Sequence, residues 1–139
     1  MILDEICYLI DSNSTSRTLG TNLFAGFQSP LTPDTATFVQ EYSGRKPNFT
    51  FGSSTPAWEN PRVQILDRST DYQTARNASE KHYKIIMGQV NVVLKPSSSA
   101  TGTTYLSLTP INSPFYVGQD SNERHQMAFN IEAMKNLST

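Results

Sequence analysis

The sequence is short of most of the residues that carry chemistry. One cysteine, Cys7, among 139 residues leaves no internal disulfide possible, so the fold rests on burial alone. Cys7 lies in an apolar stretch with acidic neighbours and no cation beside it, which suits a small buried hydrophobe and not a reactive thiol. The two histidines, His82 and His125, stand far apart with no second cysteine to join them. No H-E-x-x-H helix, phosphate loop or nucleophile elbow occurs. Neither a metal nor another cofactor is therefore expected. Basic runs are missing too: the formal net charge is −1, whereas a nucleic-acid binder carries a basic stripe. No apolar run approaches the roughly 20 residues that cross a membrane. The opening stretch holds Asp4, Glu5 and Asp11 and no basic group, unlike a secretory signal, so a protein made in a cytoplasm is expected. In that setting the sequons at Asn13, Asn48, Asn77 and Asn136 are chance products of a Ser/Thr-rich composition. Hydrophobic residues amount to only 37%, so either long polar loops surround a modest core or partners complete part of the surface.

What is present organises into a single expected domain, 1–139. "ILDEICYLIDSN" sets Ile2, Ile6, Leu9 and Asn13 on one stripe with Leu3, Cys7 and Ile10 beside it, a helical spacing. Residues 14–34 read as loop around an apolar island in which Phe24 and Phe27 should pack. "TATFVQEYS" alternates Ala36, Phe38, Gln40 and Tyr42 against Thr37, Val39 and Glu41, a strand pattern. The segment 44–61 has three prolines, two glycines and three aromatics without periodicity. Its Phe49, Phe51 and Trp58 argue for an ordered arm or hairpin that touches something, since disordered linkers are poor in aromatics. "RVQILDRS" reads as a short strand with Val63 and Ile65 on one face and Leu66 on the other. A capping box from Thr70 to Gln73 then opens a helix that aligns Ala75, Ala78, His82, Ile85 and Ile86 and stops at Gly88. "QVNVVLKP" fits a helix end or a short strand equally. "TYLSL" with Leu106 and Leu108 inward, and "HQMAFNIEAM" with Met127, Phe129, Ile131 and Ala133 on one face, complete the strands. The expected fold is α+β: a mostly antiparallel sheet of four to five strands with two helices packed on one face.

The candidate site is "SPFYVGQDSNERHQMAF", where an acid and a histidine share one short stretch. Gly118, Asp120, Ser121 and Asn122 between two strand-like runs are the residues a hairpin connection requires, and an Asp120–Arg124 pair could lock it. General acid–base work by Asp120 and His125 is the competing reading. No nucleophile or anion hole is identifiable to complete such a site, so a structural hairpin is favoured. A carbohydrate-binding reading, with Tyr42, Trp58 and Tyr105 as stacking residues, suffers because the three sit on different elements.

A helix ending in "YLID", followed by "GTNLFAG" and "P…DTATFVQEYSG", resembles the opening of the tailed-bacteriophage minor capsid or tail terminator family. "PRVQILDRSTDYQTARNASEKHYKII" is similar to that family's strand, polar element and helix. "YLSLTPINSPFYVGQDSNERHQMAFNIEA" is similar to its hairpin, carried here by Pro114, Gly118, Asp120, Asn122, Arg124, His125 and Asn130. Gln119 and Glu123 depart from the family pattern, where Arg and Gly are commoner. The resemblance implies a structural virion protein of the tail or neck, assembled in the host bacterial cytoplasm. It implies a hexameric ring that caps the tail tube, stops its growth and joins it to the neck or head. Its partners would be copies of itself, the tail tube protein and a neck or head-completion protein, with DNA passing through the lumen without specific binding. Contacts in such a ring are expected from Arg45, Lys46, Phe49, Phe51 and Trp58, and from the loop 97–103. A neck or head-completion protein of the same virion is the nearest alternative, and a small hydrolase using Asp120 and His125 a remoter one.

Overall fold

The computed structural model describes residues 2–13, 16–26, 32–49 and 56–136, the side chains at 43–49, 56, 57 and 136 excepted. The elements run α1 (Ile2–Asn13), β1 (Leu23–Ala25), β2 (Ala36–Phe49), β3 (Pro56–Ser69), α2 (Tyr72–Ile86), β4 (Gln89–Leu94), β5 (Thr103–Pro110), β6 (Phe115–Gln119) and β7 (His125–Asn136). The seven strands among the described residues form one sheet in the order β1-β2-β3-β7-β5-β4, with β6 also paired to β7. All these pairings are antiparallel apart from the short parallel match of β1 with β2. The sheet curls into a half-barrel. Along one edge of β7, β6 takes the first half and β5 the second.

The class is still α+β, but a sheet of four to five strands is too small an expectation. Each extra strand has a reason for leaving a weak sign in the sequence or none. β1 has three residues, too few to show a period. In β4 the alternation is broken at Asn91, whose φ of +47° lies in the left-handed region. In β6 every side-chain-bearing residue is exposed, so no inward face marks it.

The main core lies on one face of the sheet. Val39, Ile65 and Phe129 are register partners across β2, β3 and β7, and Val63 pairs with Ile131 in the same way. The stripe of α1 (Ile2, Leu3, Ile6, Cys7 and Ile10) and Ile86 of α2 fill the same cluster. Each large side chain buried there contributes about 1.5–3 kcal/mol. α2 lies over β3, β7 and β5 in the middle of the sheet, whereas α1 touches β1, β2 and β4, both ends of it. Burial pushes the Cys7 thiol up to about 12, with Asp4 and Asp11 adding to the effect, so it stays protonated and packs as a hydrophobe. A smaller cluster on the opposite face joins Ala36, Phe38, Leu66 and Ala128, with Phe24 stacked on Phe38 at 5.7 Å between ring centroids.

Two local expectations need correction. The N-cap of α2 is Asp71 and not Thr70: its extended backbone lets the carboxylate accept from Thr74 N at 2.9 Å and Thr74 Oγ1 at 2.7 Å. The strand β3 holds on as far as Ser69, which delays the start of the helix by one residue. In β5 the buried residues are Tyr105 and Leu108, because a register shift between Tyr105 and Ser107 turns Leu106 half outward. Within segment 44–61, residues 44–49 continue β2 and residues 56–61 belong to β3, paired Arg45↔Asn60, Asn48↔Trp58 and Phe49↔Pro56, while 50–55 lie outside the described residues. Three register shifts interrupt that ladder, near Gly44 and Pro47, and they erase the alternation the sequence would otherwise show.

Candidate functional site

The turn joining β6 to β7 is held by one carboxylate. Asp120 Oδ1 accepts from Asn122 N and from Arg124 N, both at 2.9 Å, and Oδ2 accepts from Arg124 Nε at 2.8 Å. Asp120 N donates to Arg124 O at 3.0 Å, and Glu123 takes the left-handed φ of +61° that closes the loop. Gly118, at φ +129°, sits on a register shift between Tyr116 and Gly118. That backbone is one an L side chain rarely adopts, so the glycine is required there. Arg124 is buried and also reaches Asp34 at 3.5 Å.

The pairing of Asp120 with His125 that acid–base chemistry would need is not made. Both oxygens of Asp120 are occupied, and no hydrogen bond joins it to His125 among the described residues. His125 Nδ1 instead lies 2.9 Å from Tyr116 Oη, with Tyr72 edge-on to the imidazole at 5.8 Å. Burial tends to raise the Asp120 carboxyl, but the N–H groups of Arg124 and Asn122 and the Arg124 guanidinium outweigh it and hold the group below the usual carboxylate range. A carboxylate so held does not donate a proton near neutrality. Its stabilising effect is present above the unfolded value of about 3.9 and is lost as pH falls through the folded value. Asp120→Ala is expected to cost about 2 kcal/mol by urea denaturation at pH 7. The difference from wild type should shrink on acidification toward pH 3, and a difference that stays constant would contradict this account.

Two buried polar networks escaped the sequence. In the first, Arg17 Nε donates to Thr37 Oγ1 at 2.7 Å, and Thr37 Oγ1 donates to Asp67 Oδ1 at 2.6 Å. His82 Nδ1 lies 2.9 Å from the same oxygen without being aligned as a hydrogen bond. In the second, Arg68 is fully buried, 4.8 Å above the Phe38 ring, and its Nη2 donates to the carbonyl of Pro33 and to Thr32 Oγ1, the latter at 2.8 Å. The available signal was "DRS" closing an apolar strand, two opposite charges where alternation allows only one to face water. Their partners lie too far away in sequence for that signal to identify.

Of the five residues expected at an interface, Trp58 alone has a described side chain. Arg45, Lys46 and Phe49 are in β2, with their side chains outside the described set, and Phe51 lies outside the described residues altogether. Trp58 is half-buried in β3, where its backbone pairs with Asn136 of β7. Tyr105 is buried and donates to Glu5 Oε1 at 3.0 Å, so it offers no stacking surface. Among the described residues, exposed apolar side chains include Val90 and Val93 on β4 and Phe115, Tyr116 and Val117 on β6, with Tyr72 tilted against Tyr116 at 5.3 Å. This arrangement has the character of contact surface, because large apolar groups in a row seek cover.

A family model described as bacteriophage tail terminator protein matches residues 28–136. No curated protein matches the chain.

Proposed function

This chain belongs to the bacteriophage tail terminator family, whose members are structural tail proteins, and on that premise we propose that it closes into a ring that caps the tail tube. The observation that carries this reading is the family match, which spans the sheet from β2 onward together with α2. The ring is hexameric by the resemblance of its sequence to that family. It stops polymerisation of the tube, joins the tail to a neck or head-completion protein, and lets DNA pass without binding it specifically. Two features support this role. The Asp120 carboxylate is spent on holding the β6–β7 turn itself, and exposed apolar residues lie on strands that can meet a neighbour. Arg45, Lys46 and Phe49 of β2, Trp58 of β3 and Phe51 from the sequence between them add contacts.

Polymerising the cognate tube protein with and without this chain tests the reading. Negative-stain images should show tubes that stop growing and carry extra density at one end. An unchanged length distribution with bare ends would overturn it, and binding to DNA-filled heads in place of tails would assign the protein to the neck.

A further inference from the structure

β4 pairs only with β5, and β6 only with β7, so among the described residues each has an outer edge without a partner. A free edge offers unpaired N–H and C=O groups to any other strand, and proteins that must stay apart blunt it with charge or proline. Neither Gln89–Leu94 nor Phe115–Gln119 contains a charged residue or a proline. Both present apolar side chains instead: Val90 is 65% exposed, Val93 54% and Val117 48%. The strands match in length, with six residues in β4 and five in β6. Beside β4 a groove of about 200 Å³ runs between the strand and α1, lined by Tyr8, Leu9, Val93 and Leu94 among others. A strand laid along β4 would turn alternate side chains toward it.

The charges distinguish between possible partners. Glu123 is exposed at the turn that follows β6, and its carboxylate has no ion-pair partner among the described residues. Lys84, in the last turn of α2, precedes β4 by five positions and Lys95 directly follows it, and both are exposed and without an ion-pair partner among the described residues. An acidic end on one edge thus answers basic ends on the other, in either strand direction. Symmetric pairing of like edges would leave these charges unmatched and would stop at a dimer.

We infer that the free β6 edge of one copy adds to the free β4 edge of the next, carrying the sheet from subunit to subunit. The inference rests on the ring reading above and names its contact. Such a contact is heterologous, and repeated with the right rotation it closes.

The test uses the full chain with Val90→Lys and Val93→Lys to block β4, and separately with Phe115→Lys and Val117→Lys to block β6. Folding is checked by circular dichroism, and assembly by sedimentation, alone and with purified tails. Wild type is expected to assemble, and each blocked protein to remain monomeric. An equimolar mixture of the two retains one intact β4 and one intact β6, so it should yield a dimer and nothing larger. Assembly of either blocked protein by itself, or a mixture that stays monomeric, overturns the inference while leaving the ring reading intact. Wild type that neither self-associates nor binds tails defeats the ring reading and this contact together. If a blocked protein fails to fold, charge reversal decides, because it leaves both strands unaltered. Glu123→Lys, and Lys84→Glu with Lys95→Glu, should each weaken assembly alone and recover it when mixed. Reversals without effect overturn the inference.

Discussion

Asp67→Ala is expected to destabilise the protein by about 3–5 kcal/mol, a large share of the ~5–15 kcal/mol that holds a typical domain folded. Asp67 is wholly buried on β3, and its Oδ1 accepts the hydroxyl of Thr37, which in turn accepts from Arg17. Burial disfavours the charge on Arg17, while Asp67 favours it, so removing the carboxylate leaves a buried cation without compensation. Urea denaturation followed by circular dichroism reads the cost. A companion variant separates the lost partner from the orphaned charge: adding Arg17→Met to Asp67→Ala should recover part of the stability, since two missing polar groups cost less than one left alone. A single-variant loss under about 1 kcal/mol, the range of exposed ion pairs, would mean that the pair is solvated.

Phe129→Ala should cost a comparable ~3–5 kcal/mol through loss of apolar contact and the cavity left behind. Phe129 is fully buried on β7, one of the strands with neighbours along both edges, and Tyr83 of α2 meets its ring edge-on at 5.5 Å and 89°. The damage should therefore extend to the seating of α2. Near-ultraviolet circular dichroism would report a loosened tyrosine, and the urea midpoint would fall. By contrast Ile131→Val, one methylene smaller on the same face, should cost only about 0.5–1.5 kcal/mol. Equal effects from the two changes would show that the core relaxes around the vacancy.

Both predictions concern residues whose visibility in the sequence differs. Phe129 stood out because β7 alternates cleanly through Met127, Phe129, Ile131 and Ala133, and α1 stood out because its spacing of three to four has no competitor. Asp67 did not, because a charge in a strand shows that something must compensate it but not what. Thr37 is 30 positions away from it and Arg17 lies in a loop. The same limit explains the sheet. Strand pairing is decided between segments, so a three-residue β1 carries no sign of its own, an outward-facing β6 shows only as a strand-like run before a turn, and the bulge in β5 moves Leu106 off the inward row that its spacing from Leu108 suggests. The turn residues Gly118, Asp120, Asn122 and Arg124 could be named in advance because their chemistry is local: every bond that holds the turn falls within four positions of Asp120. The exposed valines of β4 and β6 could not be, since exposure is a property of the finished surface.

The hydrogen bond from Tyr105 to Glu5 spans 100 positions along the chain. Synthesis runs from the amino-terminal side, so α1 leaves the ribosome about a hundred residues ahead of β5, and its greasy side must wait for that part of its seat. α1 can thus meet β1 and β2 early, but its seat is complete only once β4 and β5 have been made. Slow elongation or early truncation would leave that helix open to chaperones.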